Sequence, residues 1–318
     1  MSDVSSTPPP DLDVLPVPAY GCEDVVVATS GPHEGCVYTG TADGSLWRIR
    51  ADGQRIDRIA ETHGRPLGIE LHPDGRLLVC DSTHGVLMVD PHTGSVEHRL
   101  AEVDGRPMRF CNNASVAADG TVWFSDSSTC YGQPQWKDDL IQNTRTGRLL
   151  RLDPSGEVSV VLDGLAFANG VALAPDGSFV AVAETGARTV VRRWLTGPQA
   201  GVSDLLVPEL PGHPDNIATG SDGLIWVTLA SPVNPALERL QHAPSWLQRT
   251  ATRVPERLQP KVAPSVRVQA YDTAGRVVHD LDLPANHYAM VTGVREHQGT
   301  VWLGSLEQPA VARVVLPS

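Results

Sequence analysis

Lysine is nearly absent from this chain, and acidic residues outnumber basic ones. The only lysines are Lys137 and Lys261, and 25 lysines and arginines face 37 aspartates and glutamates, which gives a formal net charge of −12. Proteins that bind nucleic acids carry a basic stripe that neutralises phosphates, and this sequence has none. The composition therefore argues against a nucleic-acid partner and favours a protein that attracts cations.

Long hydrophobic runs and paired cysteines are also missing. No apolar run approaches the roughly 18 residues of a membrane span, and the N-terminus lacks a basic segment followed by a hydrophobic one. The cysteines are odd in number, form no CxxC pair and are spread through the chain: Cys22, Cys36, Cys80, Cys111 and Cys130. We therefore expect reduced thiols, no membrane span and a cytoplasmic protein.

The short motifs of several large enzyme classes are absent. The sequence contains no GxSxG, no HExxH, no GxGxxG after a strand and no phosphate loop. Serine hydrolases, zincins and nucleotide-binding proteins need these residues as a minimum. Any chemistry must therefore come from other groups.

What the chain does have is a repeated two-strand segment. The copies are RPLGIELHPDGRLLVCD, RFCNNASVAADGTVWFSD, AFANGVALAPDGSFVAVAE, GHPDNIATGSDGLIWVTL and AMVTGVREHQGTVWLGS. Their turn positions are Asp74, Asp119, Asp176, Asp222 and Gln298, separated by 45, 57, 46 and 76 residues. The basic period is typical of a propeller blade, and a less regular first copy, EDVVVATSGPHEGCVYTGTADGSLWRI, brings the number to six. The sequence predicts an all-β, six-bladed β-propeller with four-stranded blades.

The sequence outside the repeats predicts an N-terminal extension and two insertions around a single domain. Residues 1–18 predict a Pro-rich N-terminal extension, and 19–318 predict the single propeller, with insertions at 131–147 and 230–265. The second insertion predicts short helices in blade five, from the spacing of Leu237, Leu240, Trp246, Leu247 and Leu258. This insertion could fold over one end of the propeller as a lid, or pack against the side of the blade.

Side-chain oxygens recur at one position of the repeat. Seven residues before the turn, the blades carry Leu67, Asn112, Asn169, Asp215 and Val291. Because the innermost strands of a propeller converge on its axis, equivalent positions face one another across the channel. Blade one supplies Glu23 at the start of its strand, and Asn216 follows Asp215. The predicted metal ligands are Glu23, Asn112, Asn169, Asp215 and Asn216.

The types of these ligands indicate which metal they suit. Carboxylate and amide oxygens bind hard cations, and Ca²⁺ accepts six to eight oxygens in loose geometry. Zn²⁺ would call for His or Cys, and Mg²⁺ usually keeps more of its waters. We predict Ca²⁺, with Mn²⁺, Mg²⁺ or Zn²⁺ as alternatives.

Four segments resemble a known family: RPLGIELHPDG, FCNNASVAADGTVWFSDSSTCY, GLAFANGVALAPDGSFVAVAETG and GHPDNIATGSDGLIWVTL. They resemble strictosidine synthase-like proteins, a group related to the senescence-marker/gluconolactonase enzymes and, more distantly, to the paraoxonases. The resemblance covers roughly residues 20–318. It implies a six-bladed propeller with calcium or another divalent ion at the floor of a central active site. It also implies Glu23, Asn112, Asn169 and Asp215 as ligands, with Asn216 joining them as in paraoxonases.

Two positions depart from this family. Where the alkaloid-forming synthases carry a catalytic Glu, this chain has Thr292, so Pictet–Spengler condensation is not expected. The usual Asn-Asp pair of blade three is Asn112-Asn113 here. In paraoxonases that Asp helps to hold a second calcium with the residue matching Asp24, so a second metal is not expected either.

Together these features predict a Ca²⁺-dependent lactonase or esterase. The cation would polarise the carbonyl of a lactone or ester, and water would attack it in the central channel. Candidates for the base are Asp215, His213 and His287, and His63 lies at a comparable place. A non-catalytic propeller stapled by its metal and binding a protein or metabolite, and a cyclase or ring-opening enzyme, are the alternatives. Trp136, Trp246 and Tyr288 favour a substrate with an apolar or aromatic part; the oligomeric state is left open.

Overall fold

The protein is a six-bladed β-propeller, as predicted. The computed structural model describes residues 11–254 and 262–317, and these contain six four-stranded sheets and one two-stranded hairpin. The innermost strands of the six sheets contact one another in a closed ring. Each sheet is an antiparallel blade, and the channel runs between the innermost strands.

The first strand of the chain, β1 (Asp13–Pro16), belongs to the last blade. The other strands follow in chain order. Blade one is β2 (Val25–Val27), β3 (Val37–Gly40), β4 (Ser45–Ile49) and β5 (Ile56–Glu61). Blade two is β6 (Pro66–Leu71), β7 (Leu77–Asp81), β8 (Gly85–Val89) and β9 (Val96–Leu100), followed by the hairpin β10 (Glu102–Val103) and β11 (Arg106–Pro107). Blade three is β12 (Cys111–Val116), β13 (Val122–Asp126), β14 (Gly147–Leu152) and β15 (Val158–Leu165).

The second half of the propeller repeats this order from the axis outwards. Blade four is β16 (Ala168–Leu173), β17 (Phe179–Glu184), β18 (Thr189–Trp194) and β19 (Ser203–Val207). Blade five is β20 (Gly212–Thr219), β21 (Ile225–Pro232), β22 (Val266–Tyr271) and β23 (Val277–Leu283). Blade six is β24 (Val291–His297), β25 (Thr300–Ser305), β26 (Ala310–Val315) and, at its outer edge, β1.

Strand β1 closes the ring by pairing the two ends of the chain. It runs antiparallel to β26, with Asp13 opposite Arg313, and the Arg313 Nε donates to Asp13 Oδ2 over 2.9 Å. Its alternate side chains face different clusters, since Val14 packs with the core of blade six and Leu15 with that of blade one. Residues 13–16 are therefore part of the propeller and not of the extension predicted for 1–18. Of that extension, residues 1–10 lie outside the described part of the chain.

Glycines let neighbouring inner strands approach closely. A Cβ added to Gly68 would lie 2.6 Å from Asn112 O, and one added to Gly293 would lie 2.5 Å from Glu23 O. A Cβ on Gly170 would meet the backbone of Ile217 and Asn216. The three glycines lie in blades two, four and six, so every second blade fits its backbone against the blade that follows it.

Two insertions form helices at one end of the channel. The first contains a 3₁₀ turn (Gln133–Gln135) and α1 (Trp136–Gln142); the second contains α2 (Pro235–Gln241) and α3 (Ser245–Ala251), between β21 and β22. All three helices touch one another, and the Gln241 side-chain amide donates to Leu140 O over 3.0 Å. The helical insertion in blade five is thus confirmed, while Leu258, also expected to be helical, lies outside the described residues. Among the described helices, none combines the length and apolar character needed to cross a membrane.

The close approach at Gly170 can be tested with a methyl group. Gly170→Ala should destabilise the fold by about 1–3 kcal/mol, because the added carbon overlaps backbone atoms that cannot rotate away. Gly132→Ala is the matched control: its nearest contact would be Arg109 O at 3.5 Å, an ordinary distance, and its cost should be within about 0.5 kcal/mol. Urea unfolding of both variants measures the difference. Equal stabilities would contradict the proposed backbone contact.

Candidate active site at the centre of the propeller

Four of the five predicted ligands line one cavity at the centre of the propeller. Glu23, Asn112, Asn169 and Asp215 all face this cavity, whose volume is about 230 Å³. Glu23 lies just before β2, and the other three lie at bulges of their inner strands, where two residues oppose one on the neighbouring strand. Three pairs of residues form these bulges: Asn112-Asn113, Asn169-Gly170 and Asp215-Asn216.

The bulge of blade six corrects one position of the predicted register. Val291 pairs with Ser305, and the bulge that follows contains Thr292 and Gly293. Thr292, not Val291, is therefore the counterpart of Asn112 and Asp215. The sequence alignment was shifted because blade six has a two-residue turn between His297 and Thr300, whereas blade five has five residues between Thr219 and Ile225.

The two ligand amides are held so that their oxygens remain free. The Asn112 Nδ2 donates to Ser127 Oγ over 2.8 Å, and the Asn169 Nδ2 donates to Thr185 Oγ1 over 3.1 Å. The Oδ1 atoms of both asparagines are buried and have no hydrogen-bond partner among the described residues. Because a buried oxygen without a partner is costly, these atoms point to a missing ligand.

The two carboxylates carry an unfavourable charge in this setting. Burial raises the pKa of Glu23 to about 7, although the Arg65 Nη2 lies 2.8 Å from its Oε2 and opposes that rise. Burial also raises the pKa of Asp215 well above its usual range, the charge of Glu23 adds to the rise, and a hydrogen bond from Asn169 opposes it. Two buried acidic groups that are desolvated in this way are stabilised either by protonation or by a bound cation.

The donor set fits a hard divalent cation. Two carboxylates match its charge, and the free amide oxygens of Asn112 and Asn169 add ligands without further repulsion. Asn216 does not line the cavity, but its amide is buried and both amide atoms lack a partner within the described segments. Zn²⁺ prefers Cys and His ligands, whereas these four side chains offer oxygens.

His213 supplies a free imidazole nitrogen to the same cavity. Its Nδ1 lies 3.0 Å from Thr185 O, and a carbonyl can only accept, so Nδ1 carries the hydrogen. The Nε2 is then the atom with the lone pair; it is buried and has no partner in the part of the chain that the structure describes. Burial lowers the pKa of His213, which favours the neutral imidazole that a base requires.

The other two candidate histidines do not reach the cavity. His287 and His63 are exposed and are not among the residues that line it. The next residue, Tyr288, is buried in blade six, where its hydroxyl donates to Leu303 O over 3.0 Å. The structure therefore does not bring His287 or Tyr288 into the candidate site. Trp246 is 69% exposed on α3 and lies outside the cavity too, whereas Trp136 lines it.

The apolar walls of the cavity were missed in the sequence. Phe110 and Phe167 meet edge to face with ring centroids 5.2 Å apart, and Met290 lines the same cavity. Each of the three lies two residues before a position of the ring, as His213 does. This second register was present in the sequence and could have identified them. The remaining apolar lining includes Leu140 and Leu237 from the helical insertions.

A second layer of polar residues lies below the cavity and is already paired. Asp24 Oδ2 accepts from Asn113 Nδ2 over 3.0 Å and from the Ile69 backbone N over 3.1 Å. Asn113 Oδ1 accepts from the Val171 backbone N over 2.9 Å. Burial raises the pKa of Asp24 to about 7, and the charge of Arg295 opposes the rise. The side-chain oxygens of Asp24 and Asn113 are thus hydrogen-bonded, in contrast to the Oδ1 atoms of Asn112 and Asn169.

The cysteines beside the ligands are part of the packing. Cys22 and Cys111 are fully buried and belong to apolar clusters between blades. Burial raises the pKa of the Cys22 thiol to about 12 and that of Cys111 well above its usual value. Both thiols therefore stay protonated at neutral pH, which agrees with a packing role and not with a nucleophilic one.

The fold and the cavity together define a class of protein: a six-bladed propeller whose channel ends on a ring of side-chain oxygens. The family model described as strictosidine synthase matches residues 112–198. The chain is 33% identical over 308 residues to the adipocyte plasma membrane-associated protein of Rattus norvegicus, covering 89% of this chain and 81% of the relative. It is 34% identical over 300 residues to Protein STRICTOSIDINE SYNTHASE-LIKE 10 of Arabidopsis thaliana, covering 86% and 80%. The chain belongs to the strictosidine synthase-like family.

Solved structures with the same fold carry other names. A gluconolactonase from Xanthomonas campestris superposes with a TM-score of 0.70 at 16% identity, covering 97% of this chain and 90% of that one. Regucalcin from Agrobacterium tumefaciens, described as a calcium-binding protein, superposes with a TM-score of 0.65 at 14% identity, covering 96% and 94%. At such low identity these likenesses show the fold alone.

Metal binding at the ring can be measured directly. Protein freed of metal by chelation should bind one Ca²⁺ per chain, and calcium at about 100 times Kd should stabilise the fold by about 2.7 kcal/mol, because the ion binds only the folded state. Asp215→Ala should lose both effects. Asp176→Ala is the control, since Asp176 is exposed and caps a turn through the Ser178 N. Calorimetric titration and thermal melting with and without chelator report the result; an unchanged melting temperature on adding calcium would contradict the site.

Proposed function

We propose that this protein is a Ca²⁺-dependent hydrolase that opens a lactone or cleaves an ester. One observation carries the proposal: free, buried oxygens of Asn112 and Asn169 and the free Nε2 of His213 meet in one cavity with two carboxylates. A Lewis acid and a proton acceptor side by side are what the attack of water on a carbonyl requires.

Four side chains of the cavity would hold the cation. Glu23 and Asp215 supply charge, and Asn112 and Asn169 supply neutral oxygens; Asn216 follows Asp215 in the chain and has a buried, unpaired amide among the described residues. When bound, Ca²⁺ would polarise the carbonyl of the substrate and stabilise the negative charge that develops on its oxygen. Structural neighbours described as a gluconolactonase and as a calcium-binding protein have the same fold.

His213 would carry the proton. Its Nε2 accepts a proton from the attacking water, and the new bond forms between the water oxygen and the carbonyl carbon. Cleavage of the carbonyl carbon to ring oxygen bond then leaves an alkoxide, which takes the proton back from Nε2. The sum is lactone plus water to hydroxy acid, and His213 is regenerated. Asp215 remains an alternative acceptor, because it faces the same cavity.

The lining of the cavity favours an uncharged substrate with an apolar part. No Lys or Arg is among the described residues that line the cavity, so among these residues no basic side chain would pair with a phosphate or carboxylate. The walls are Phe110, Phe167, Trp136 and Met290, together with leucines of the insertions. Such walls bind aryl or alkyl groups.

Hydrolysis of γ- and δ-lactones and aryl esters tests the proposal. The protein should turn over part of such a panel, and chelation should abolish the turnover. His213→Gln should lower kcat by about 10²-fold or more while calcium still binds, because only the proton acceptor is lost. His287→Gln is the control and should behave like the wild type, since His287 is exposed outside the cavity. Bound calcium with an inert panel, or full activity without metal, would overturn the proposal.

The apolar wall predicts how substrates are ranked. Trp136→Ala should raise KM for lactones with aryl or long alkyl groups by roughly 5- to 30-fold, because about 1–2 kcal/mol of apolar contact is lost. The KM for the smallest lactones should change little. Trp246→Ala serves as the control, because Trp246 is exposed on α3. A uniform effect on all substrates would contradict a specific contact with Trp136.

A further inference from the structure

Thr185 contacts both a predicted metal ligand and the proposed base of the candidate site. It follows β17 at the end of the second strand of blade four, is 7% exposed and lines the central cavity. Its hydroxyl contacts the ligand Asn169, and its backbone carbonyl contacts the imidazole of His213. No other described residue is hydrogen-bonded to both of these side chains.

The direction of the hydroxyl bonds fixes the orientation of the Asn169 amide. Thr185 Oγ1 lies 2.8 Å from Pro214 O, and a carbonyl only accepts, so the single hydroxyl hydrogen is donated to Pro214. The hydroxyl oxygen can then only accept, and it accepts from the Asn169 Nδ2 over 3.1 Å. A flipped amide would place Oδ1 against an oxygen that has no hydrogen to give. The Thr185 hydroxyl therefore determines the amide orientation that leaves Oδ1 of Asn169 free in the cavity.

The carbonyl of the same residue fixes the tautomer of His213. Because Thr185 O accepts from Nδ1 over 3.0 Å, the hydrogen of the neutral ring is on Nδ1 and the lone pair is on Nε2. The Thr185 N in turn donates to Phe167 O over 3.1 Å, which anchors this part of the loop to the wall of the cavity.

In blade three, an equivalent hydroxyl orients an asparagine but is hydrogen-bonded to no described histidine. Ser127 Oγ accepts from the Asn112 Nδ2 over 2.8 Å and donates to Ala168 O over 2.7 Å, so it orients Asn112 as Thr185 orients Asn169. The residue that corresponds to His213 in the next blade is Phe167, which has no ring N–H to donate. Thr185 thus orients both a predicted ligand, Asn169, and the proposed base, His213.

We propose that Thr185 is a positioning residue that presents the Asn169 oxygen to the cation and the His213 Nε2 to the substrate. The inference rests on the proposed function, since it assumes calcium at the ring and a base beside it. Residues that orient metal ligands typically contribute about 10- to 100-fold to metal affinity, so the effect is large enough to measure.

Calcium affinity of substituted proteins tests the role of the hydroxyl. Thr185→Val keeps the shape but removes the hydroxyl, and the Kd for Ca²⁺ should rise by about 10- to 100-fold. Thr185→Ser keeps the hydroxyl and should stay within about 3-fold of the wild type, so the loss is reversed by the conservative change. Thr62→Val is the matched control, because Thr62 is also buried and its hydroxyl donates to Asp81 Oδ2 over 2.8 Å; neither residue lines the cavity. It should lose stability but keep its calcium affinity.

The tautomer of His213 gives a second measurement that does not depend on activity. Nitrogen-15 NMR, with the signals assigned by comparison with His213→Gln, should show hydrogen on Nδ1 and none on Nε2 in the neutral ring of the wild type and of Thr185→Ser. Wild-type calcium binding with an unchanged Kd in Thr185→Val, or hydrogen on Nε2, would overturn this inference alone. A wild type that binds no calcium at all would overturn the proposed function and this inference with it.

Discussion

The structure depends on the burial of two like charges at its centre. Glu23 and Asp215 come from blades one and five and meet in one cavity, where desolvation raises the pKa of each carboxyl group. Of the two carboxylates, only Glu23 forms an ion pair with Arg65, which offsets part of the cost, and Asp215 has no ion pair among the described residues. The other two ring ligands are amides, which add oxygens without adding repulsion. Such an arrangement is costly for an empty protein and favourable for one that holds a cation.

The geometry of the ring depends in turn on how the propeller closes. Glu23 opens blade one, and its backbone carbonyl accepts from the Thr292 hydroxyl of blade six over 2.8 Å. Blade six is itself completed by β1, from the other end of the chain. The glycines of blades two, four and six remove the side chains that would otherwise separate neighbouring bulges. A change of strand register at the closure would therefore displace Glu23 relative to the predicted ligands of blades three to five. The geometry of the site thus depends on correct closure of the propeller.

The sequence predicted what repeats and missed what does not. The six blades and the register of Asn112, Asn169 and Asp215 followed from copies of one segment, and the structure brings these three side chains together. Strand β1 was missed because four residues next to prolines have no counterpart in the repeat. Blade six was shifted because its turn is shorter, and His287 was chosen from its place in the chain without knowledge that Tyr288 would be buried. Ser127 and Thr185 could not be connected with their asparagines, because those hydrogen bonds join different strands of a folded blade.

The hydroxyls of Ser127 and Thr185 explain how asparagine amides can take the place of carboxylates as predicted ligands. A carboxylate has two equivalent oxygens, and either can face a cation, whereas an amide presents an oxygen only in one of its two orientations. An amide site therefore needs a donor–acceptor relay behind it, and Ser127 and Thr185 provide this relay by passing their own hydrogen to the backbone of the next blade. The ring thereby keeps its charge low, which limits repulsion in the apo protein, and ties the direction of each ligand to the packing between blades. In the proposed cation site, two of the four ligands are thus neutral amides, and contacts between neighbouring blades set the direction of each amide oxygen.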